Sequence, residues 1–316
     1  MGEKIANRAA YGKALVDFAP LYPNLVVLDA DLSAATMTNA FAKAYPERFF
    51  DMGIAEANMM GVAAGLAACG KIPFANSFAM FAAGRAFEQV RNSIAYPRLN
   101  VKVVGAHGGL SVGEDGATHQ ACEDIALMRS IPHMMVVCPC DGYEMTQAVR
   151  ALLDYDGPAY LRMGRLAVDT VTDAIPGYHF ELGKGVTLRP GKDVTVVATG
   201  MMVQMALEAA EILAEQGISV RVLDIHTIKP LDEELILQAA RETGCLVTTE
   251  EHNILGGLGG AVCEYLSGVC PVPVVRHGVQ DEFGRSGKAQ DVLAHYGLTS
   301  QGIVERVKEA LARKNG

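Results

Sequence analysis

Four stretches of this 316-residue chain combine side chains able to do chemistry. Asp29, Asp31 and Ser33 close an apolar run, and Asp51-Met-Gly-Ile-Ala-Glu56 leads into a long helical pattern. Asn76-Ser-Phe-Ala-Met-Phe81 carries two aromatic rings, and His107-Gly-Gly-Leu-Ser-Val-Gly-Glu-Asp115-Gly-Ala-Thr-His119 is a glycine-rich loop. Histidines donate to hydroxyls and move protons near neutral pH. Carboxylates accept from hydroxyls or serve as acids when buried, and aromatic rings pack on planar ligands. Each stretch also has a plain structural account. Glu56 could be a first-turn carboxylate favoured by the helix dipole. Phe78 and Phe81, three apart, would share a helix face and belong to a core. Asp115 and His119 could be turn and cap residues. What distinguishes these residues is that they fall at the ends of predicted strands.

Those strands are short β-branched runs at 24–31, 100–107, 134–140, 193–200, 219–226 and 245–252, separated by longer helical patterns such as 56–70, 142–155 and 202–217. Such alternation predicts an α/β protein with mostly parallel sheets flanked by helices. Loops at the carboxyl ends of parallel strands are where these sheets bind ligands. Between Leu166 and Lys192 the rhythm is lost and the segment ends in Arg-Pro-Gly-Lys-Asp, a turn. This places one domain at 1–168, a linker at 169–192 and a second domain at 193–316.

Half of the residues are hydrophobic, enough for two buried cores. The formal charge of -9 argues against a surface that lies along nucleic acid or an anionic membrane. The seven cysteines are odd in number and scattered, unlike a disulfide framework, and fit reduced thiols in a cytoplasm. Cys138-Pro-Cys140 lacks the two-residue spacer of a zinc or redox motif, so buried structural cysteine is expected there. The run Gly256 to Gly260 lacks the spacing of a nucleotide loop and reads as glycine at a helix start. No stretch has the length and apolarity of a membrane span or signal peptide.

The string DMGIAEANMMGVAAGLAACG resembles the pyrimidine-binding domain of transketolases, and NSFAMF and GEDGATHQ follow in the family's order. Farther on, DIHTIKPLD and TTEEHNILGGLGGAV resemble the transketolase C-terminal domain. The resemblance implies a thiamine-diphosphate enzyme that moves a two-carbon ketol unit from a ketose phosphate to an aldose phosphate. It implies that Glu56 hydrogen-bonds a ring nitrogen of the cofactor's aminopyrimidine and activates the cofactor, that Phe78 and Phe81 pack on that ring, and that Asp31 lies on the cofactor side. It assigns His107, Asp115 and His119 to the substrate channel, with both histidines as catalytic candidates. It makes Arg165 and Arg8 the grips on the substrate phosphate, for which a guanidinium fork is suited. Arg162 reads instead as a salt-bridge residue.

Two departures accompany the resemblance. Where the family shows a further phosphate-binding serine, this chain has Ala35 followed by Thr36, leaving Thr36 or Ser33 as substitutes. The Gly-Asp-Gly and later Asn that anchor Mg²⁺ and diphosphate are absent, and Gly113-Glu-Asp-Gly116 does not supply them. No metal ligand is therefore expected in this chain. A partner carrying the diphosphate-binding half should hold Mg²⁺, and a two-fold heterotetramer of the two chains is expected. The rival readings are a 2-oxo acid dehydrogenase beta subunit, a deoxyxylulose-phosphate-synthase-like enzyme, and a non-catalytic subunit of the same fold. The histidines and paired arginines argue against the first, His107 and the split chain against the second, and the intact Glu56 with both phenylalanines against the third.

Overall fold

The computed structural model describes residues 4–175 and 177–315. The strands are, in chain order, β1 (Lys4–Ala6), β2 (Leu25–Asp29), β3 (Phe49–Asp51), β4 (Ile72–Phe78), β5 (Lys102–Ala106), β6 (Met135–Val137), β7 (Ala159–Arg162) and β8 (Ala167–Asp169). They continue as β9 (Val186–Arg189), β10 (Val194–Ala198), β11 (Val220–Asp224), β12 (Thr227–Lys229), β13 (Leu246–Asn253) and β14 (Val274–Val279). Each run anticipated from the sequence forms a strand. The residues of β2, β5 and β10 are buried throughout, as β-branched strands covered on both faces should be.

The first sheet has the order β12-β6-β7-β5-β4-β2-β3 and is parallel except at β12, which runs antiparallel to β6. The second has the order β14-β13-β10-β11-β9, parallel except for β9 against β11. Two crossings tie the halves together. β12 comes from beyond residue 193 yet closes the edge of the first sheet, and β9, inside the stretch 169–192, belongs to the second sheet. β1 pairs with β8, bringing the start of the described chain beside residues 167–169.

Helices fill both faces. Gly142–Asp154 is capped by Asp141, whose side chain accepts from the Glu144 N–H at 2.8 Å, while the Glu144 carboxylate reaches back to the Cys140 N–H at 2.6 Å, a reciprocal cap. Glu56–Ala68 has no side-chain cap and begins with Glu56 itself. No helix among the described residues is long and apolar enough to cross a membrane.

Candidate functional site

The carboxyl ends of β2, β4 and β5 lie side by side, and Phe78, Phe81, His107 and His119 of the sequence-predicted residues meet at this mouth. Asn76 serves as a fastener: its side-chain amide donates to Leu28 O and Phe74 O at 2.8 Å each, and its oxygen accepts from the Tyr11 hydroxyl. With β4 fixed in this way, Phe78 becomes the last residue of a strand and Phe81 lies in the π-helical turn Met80–Arg85. The expectation that both phenylalanines share one helix face is therefore incorrect. β4 reads Ile-Pro-Phe-Ala-Asn-Ser-Phe, with proline and polar residues in place of a β-branched run, so its strand character was hidden. The two rings nonetheless lie 6.3 Å apart and inclined by only 20°.

Two histidines complete this cluster. The His107 ring is 4.3 Å from that of Phe78, and the His119 ring meets Phe81 edge-on at 5.1 Å. His107 follows β5 directly, with φ of 57°, and is buried with its Nδ1 unpartnered. Burial first, then the charges of Arg8 and Arg165, push its pKa down to about 4, so near neutral pH the ring is uncharged. His119 has its Nδ1 within 2.9 Å of the Thr118 hydroxyl.

Glu56 is 1% exposed, which separates it from an ordinary first-turn surface carboxylate. A buried carboxylate needs partners. Glu56 has the Arg85 guanidinium at 2.8 Å on Oε2 and the Ser77 hydroxyl at 3.3 Å on Oε1. Arg85, half exposed, also lies over the Phe81 ring at 4.5 Å. Neither Ser77 nor Arg85 was singled out by sequence reasoning. Ser77 could have been found had β4 been recognised, since it alternates with Phe78. Arg85 depends on the path of the turn.

The charges of both phosphate-grip candidates, Arg8 and Arg165, lower the His107 pKa. Arg8 donates to the Ala35 carbonyl at 3.1 Å, and Arg165 pairs with Glu114 at 2.7 Å. Thr36 is buried and committed: its hydroxyl donates to Asp29 at 2.7 Å, beside Thr38 at 2.9 Å. It is therefore engaged in the fold, whereas Ser33, at the start of the short helix Ser33–Thr36, is half-buried. Burial, reinforced by Asp51 and opposed by these hydrogen bonds, pushes Asp29 up to about 6. Two candidates stand apart from the ring cluster. Asp115 is exposed at the end of the turn Leu110–Asp115, and Asp31 is exposed with its N–H donating to Asp51 at 3.1 Å.

Arg162 is the salt-bridge residue expected: buried, it binds Asp124 through Nε at 2.8 Å. The seven cysteines are free. Cys140, Glu144 and Asp224 form the one group among the described residues with ligand atoms close together, within 4.8 Å. Both Glu144 oxygens are already engaged, by the Tyr178 hydroxyl and the Cys140 N–H. Burial and the neighbouring Glu144 hold Asp224 well above the usual carboxylate range. The glycine run 256–260 opens the helix Leu258–Val269, and Glu250 accepts from the Leu258 and Gly259 N–H groups at 2.6 and 2.8 Å. That helix start is filled by the protein's own carboxylate, which leaves no place for a phosphate.

The residues of the mouth fit the aminopyrimidine half of thiamine diphosphate. They offer a buried carboxylate, two rings close to parallel and an unpartnered imidazole nitrogen. Fold and site thus define an α/β protein with a cluster of aromatic and imidazole rings near a buried carboxylate at the carboxyl ends of a parallel sheet. Residues 3–170 match the transketolase pyrimidine binding domain and 183–303 the transketolase C-terminal domain. A putative transketolase C-terminal section from Methanocaldococcus jannaschii is 50% identical over 97% of this chain and 96% of its own length. A 6-deoxy-6-sulfo-D-fructose transketolase subunit from Clostridium sp. is 46% identical over 98% of this chain and 95% of its own. A solved split gene transketolase, described as an inactive beta4 tetramer, superposes with a TM-score of 0.90 at 52% identity, covering 99% of this chain and all of that one. The chain belongs to the transketolase family, where it corresponds to the C-terminal half in its split, two-subunit form. These likenesses do not favour the dehydrogenase or synthase alternatives.

Proposed function

We propose that this chain is the half of a two-chain transketolase that activates the cofactor and reads the substrate. It transfers a two-carbon ketol unit from a ketose phosphate to an aldose phosphate. Thiamine diphosphate, when bound, supplies the carbon nucleophile that carries the two-carbon unit. Glu56 meets the aminopyrimidine ring nitrogen, with Ser77 fixing the carboxylate and Phe78 and Phe81 holding the ring. His107, uncharged, offers its free Nδ1 to a sugar hydroxyl, and His119 beside it and Asp115, from the exposed end of its turn, are the further substrate contacts of this reading. Arg8 and Arg165 take the anionic end of the sugar. Asp31 borders the cofactor from the β2 loop. Mg²⁺ and the diphosphate belong to an N-terminal-half partner, and the two chains assemble as a two-fold heterotetramer in the cytoplasm. The domain division 1–168, 169–192 and 193–316 is part of this reading, with β9 of the linker stretch pairing into the second sheet and β12 of the second domain into the first.

The observation that carries the proposal is the convergence of the Phe78, Phe81, His107 and His119 rings in one cluster, with Arg85 linking Phe81 to the buried Glu56. Calorimetry of the purified chain tests it. Thiamine diphosphate with Mg²⁺ should bind weakly or not at all, and adding the N-terminal-half subunit should give both tight binding and ketol transfer. Tight, Mg²⁺-dependent binding to the isolated chain would overturn the split-site reading.

A further inference from the structure

The loop from His107 to Gln120 is conformationally demanding. His107, Gly109, Gly113 and Gly116 all have positive φ, at 57°, 91°, 78° and 74°. For a histidine this region is unfavourable and persists only where the surroundings over-determine it. Part of that constraint is local. The Gly108 N–H donates to Met163 O at 3.1 Å and the Gly109 N–H to Ala121 O at 2.8 Å.

The middle of the loop is held from the other half of the molecule. Glu251, on β13 of the second sheet and 3% exposed, accepts the Ser111 N–H on Oε1. Its side chain also packs against the turn just after His107: a Cβ on Gly109 would lie 2.4 Å from the Glu251 carboxyl carbon, so a side chain there would displace Glu251. The Glu251 backbone is itself fixed, because Arg162 Nη2 donates to its carbonyl at 2.9 Å and to Ala121 O at 3.2 Å. Farther along, Gln120 Nε2 donates to Arg285 O at 3.0 Å, a second attachment to the C-terminal part.

We propose that Glu251 is a positioning residue for the transferase reaction: from the C-terminal domain, its carboxylate fixes the backbone of the substrate-reading loop that carries His107 at its start and Asp115 farther along. This rests on the proposed reading of that loop. Glu251 is distant from the ring cluster in sequence and touches no group assigned to the substrate, so its effect must pass through the loop backbone. The C-terminal domain then contributes to turnover.

The experiment uses the reconstituted two-chain enzyme. Glu251→Ala should lower kcat/KM for the ketose donor at least tenfold, mainly through KM, and should speed amide exchange in the peptide covering 110–115. Glu251→Gln keeps an oxygen able to accept the Ser111 N–H and should restore most of both. Wild-type kinetics in Glu251→Ala, or a Gln variant as impaired as the Ala variant with loop protection intact in both, would overturn the positioning role. Asp115→Asn serves as the control for the underlying reading. If it is impaired while Glu251→Ala is not, only the positioning role fails; if it is unimpaired, the loop does not read substrate and both ideas fall.

Discussion

Within β13, Glu250 turns its carboxylate onto the start of the helix Leu258–Val269 and accepts two of its N–H groups. At the mouth of the first sheet, Glu56 sits at the start of its own helix but bonds to Ser77 and the half-exposed Arg85 instead. Both are buried glutamates at helix starts on parallel sheets. One closes a ligand position with the protein's own charge, and the other keeps a carboxylate near aromatic rings and a half-exposed cation. The difference shows that a buried carboxylate beside a helix start does not by itself make a site in this architecture; what decides is whether the carboxylate's lone pairs are already spent on backbone donors.

The comparison is broken most severely at Glu56. In the reconstituted enzyme Glu56→Gln should keep cofactor affinity while turnover falls by about a hundredfold to ten-thousandfold, the usual weight of a positioned acid or base. Steady-state kinetics alongside calorimetry measure the two, and near-normal turnover would put Glu56 in the same structural class as Glu250. Arg165 comes next. Removing one charged hydrogen bond costs about 1.5 to 3 kcal/mol, roughly a tenfold to hundredfold loss. Arg165→Ala should show that loss in kcat/KM for phosphorylated acceptors, largely in KM, and Arg8→Ala a milder one. Equal losses with unphosphorylated acceptors would mean that both arginines hold structure.

Glu250 should behave in the opposite way. Glu250→Ala leaves two helix-start N–H groups unpaired and should lower unfolding stability by about 1.5 to 3 kcal/mol, with turnover per folded enzyme unchanged. Denaturant unfolding paired with kinetics checks this, and a large kinetic effect would erase the contrast between the two glutamates. The smallest effect concerns His107. Its folded pKa, about 4, lies below the unfolded value near 6.5. The folded state therefore binds fewer protons, so its contribution to stability is intact above about pH 6.5 and is lost as pH falls from 6.5 toward 4. An NMR titration should find the ring neutral at pH 5.5, and protonation near 6.5 would remove the case for an uncharged, desolvated imidazole.

Much of this was legible in the residues themselves. The β-branched runs announced the strands, because a parallel strand covered on both faces must be apolar throughout. Glu56, Phe78, Phe81, His107 and His119 were recognisable because their types and order carry the family resemblance, and the missing Gly-Asp-Gly pointed to a partner chain. Arg162 as a salt bridge and glycine at the Leu258 helix start also followed from pattern. What the sequence could not reveal were contacts between residues distant along the chain. β12 completing the first sheet, Arg85 reaching Glu56, Thr36 engaged by Asp29 and Glu251 gripping the Ser111 amide each depend on where a turn or crossover delivers a group. Periodicity records which face of an element is buried. Which buried group meets which is set only when the elements pack, because hydrogen bonds and ion pairs act over a few ångströms that the order of residues does not encode.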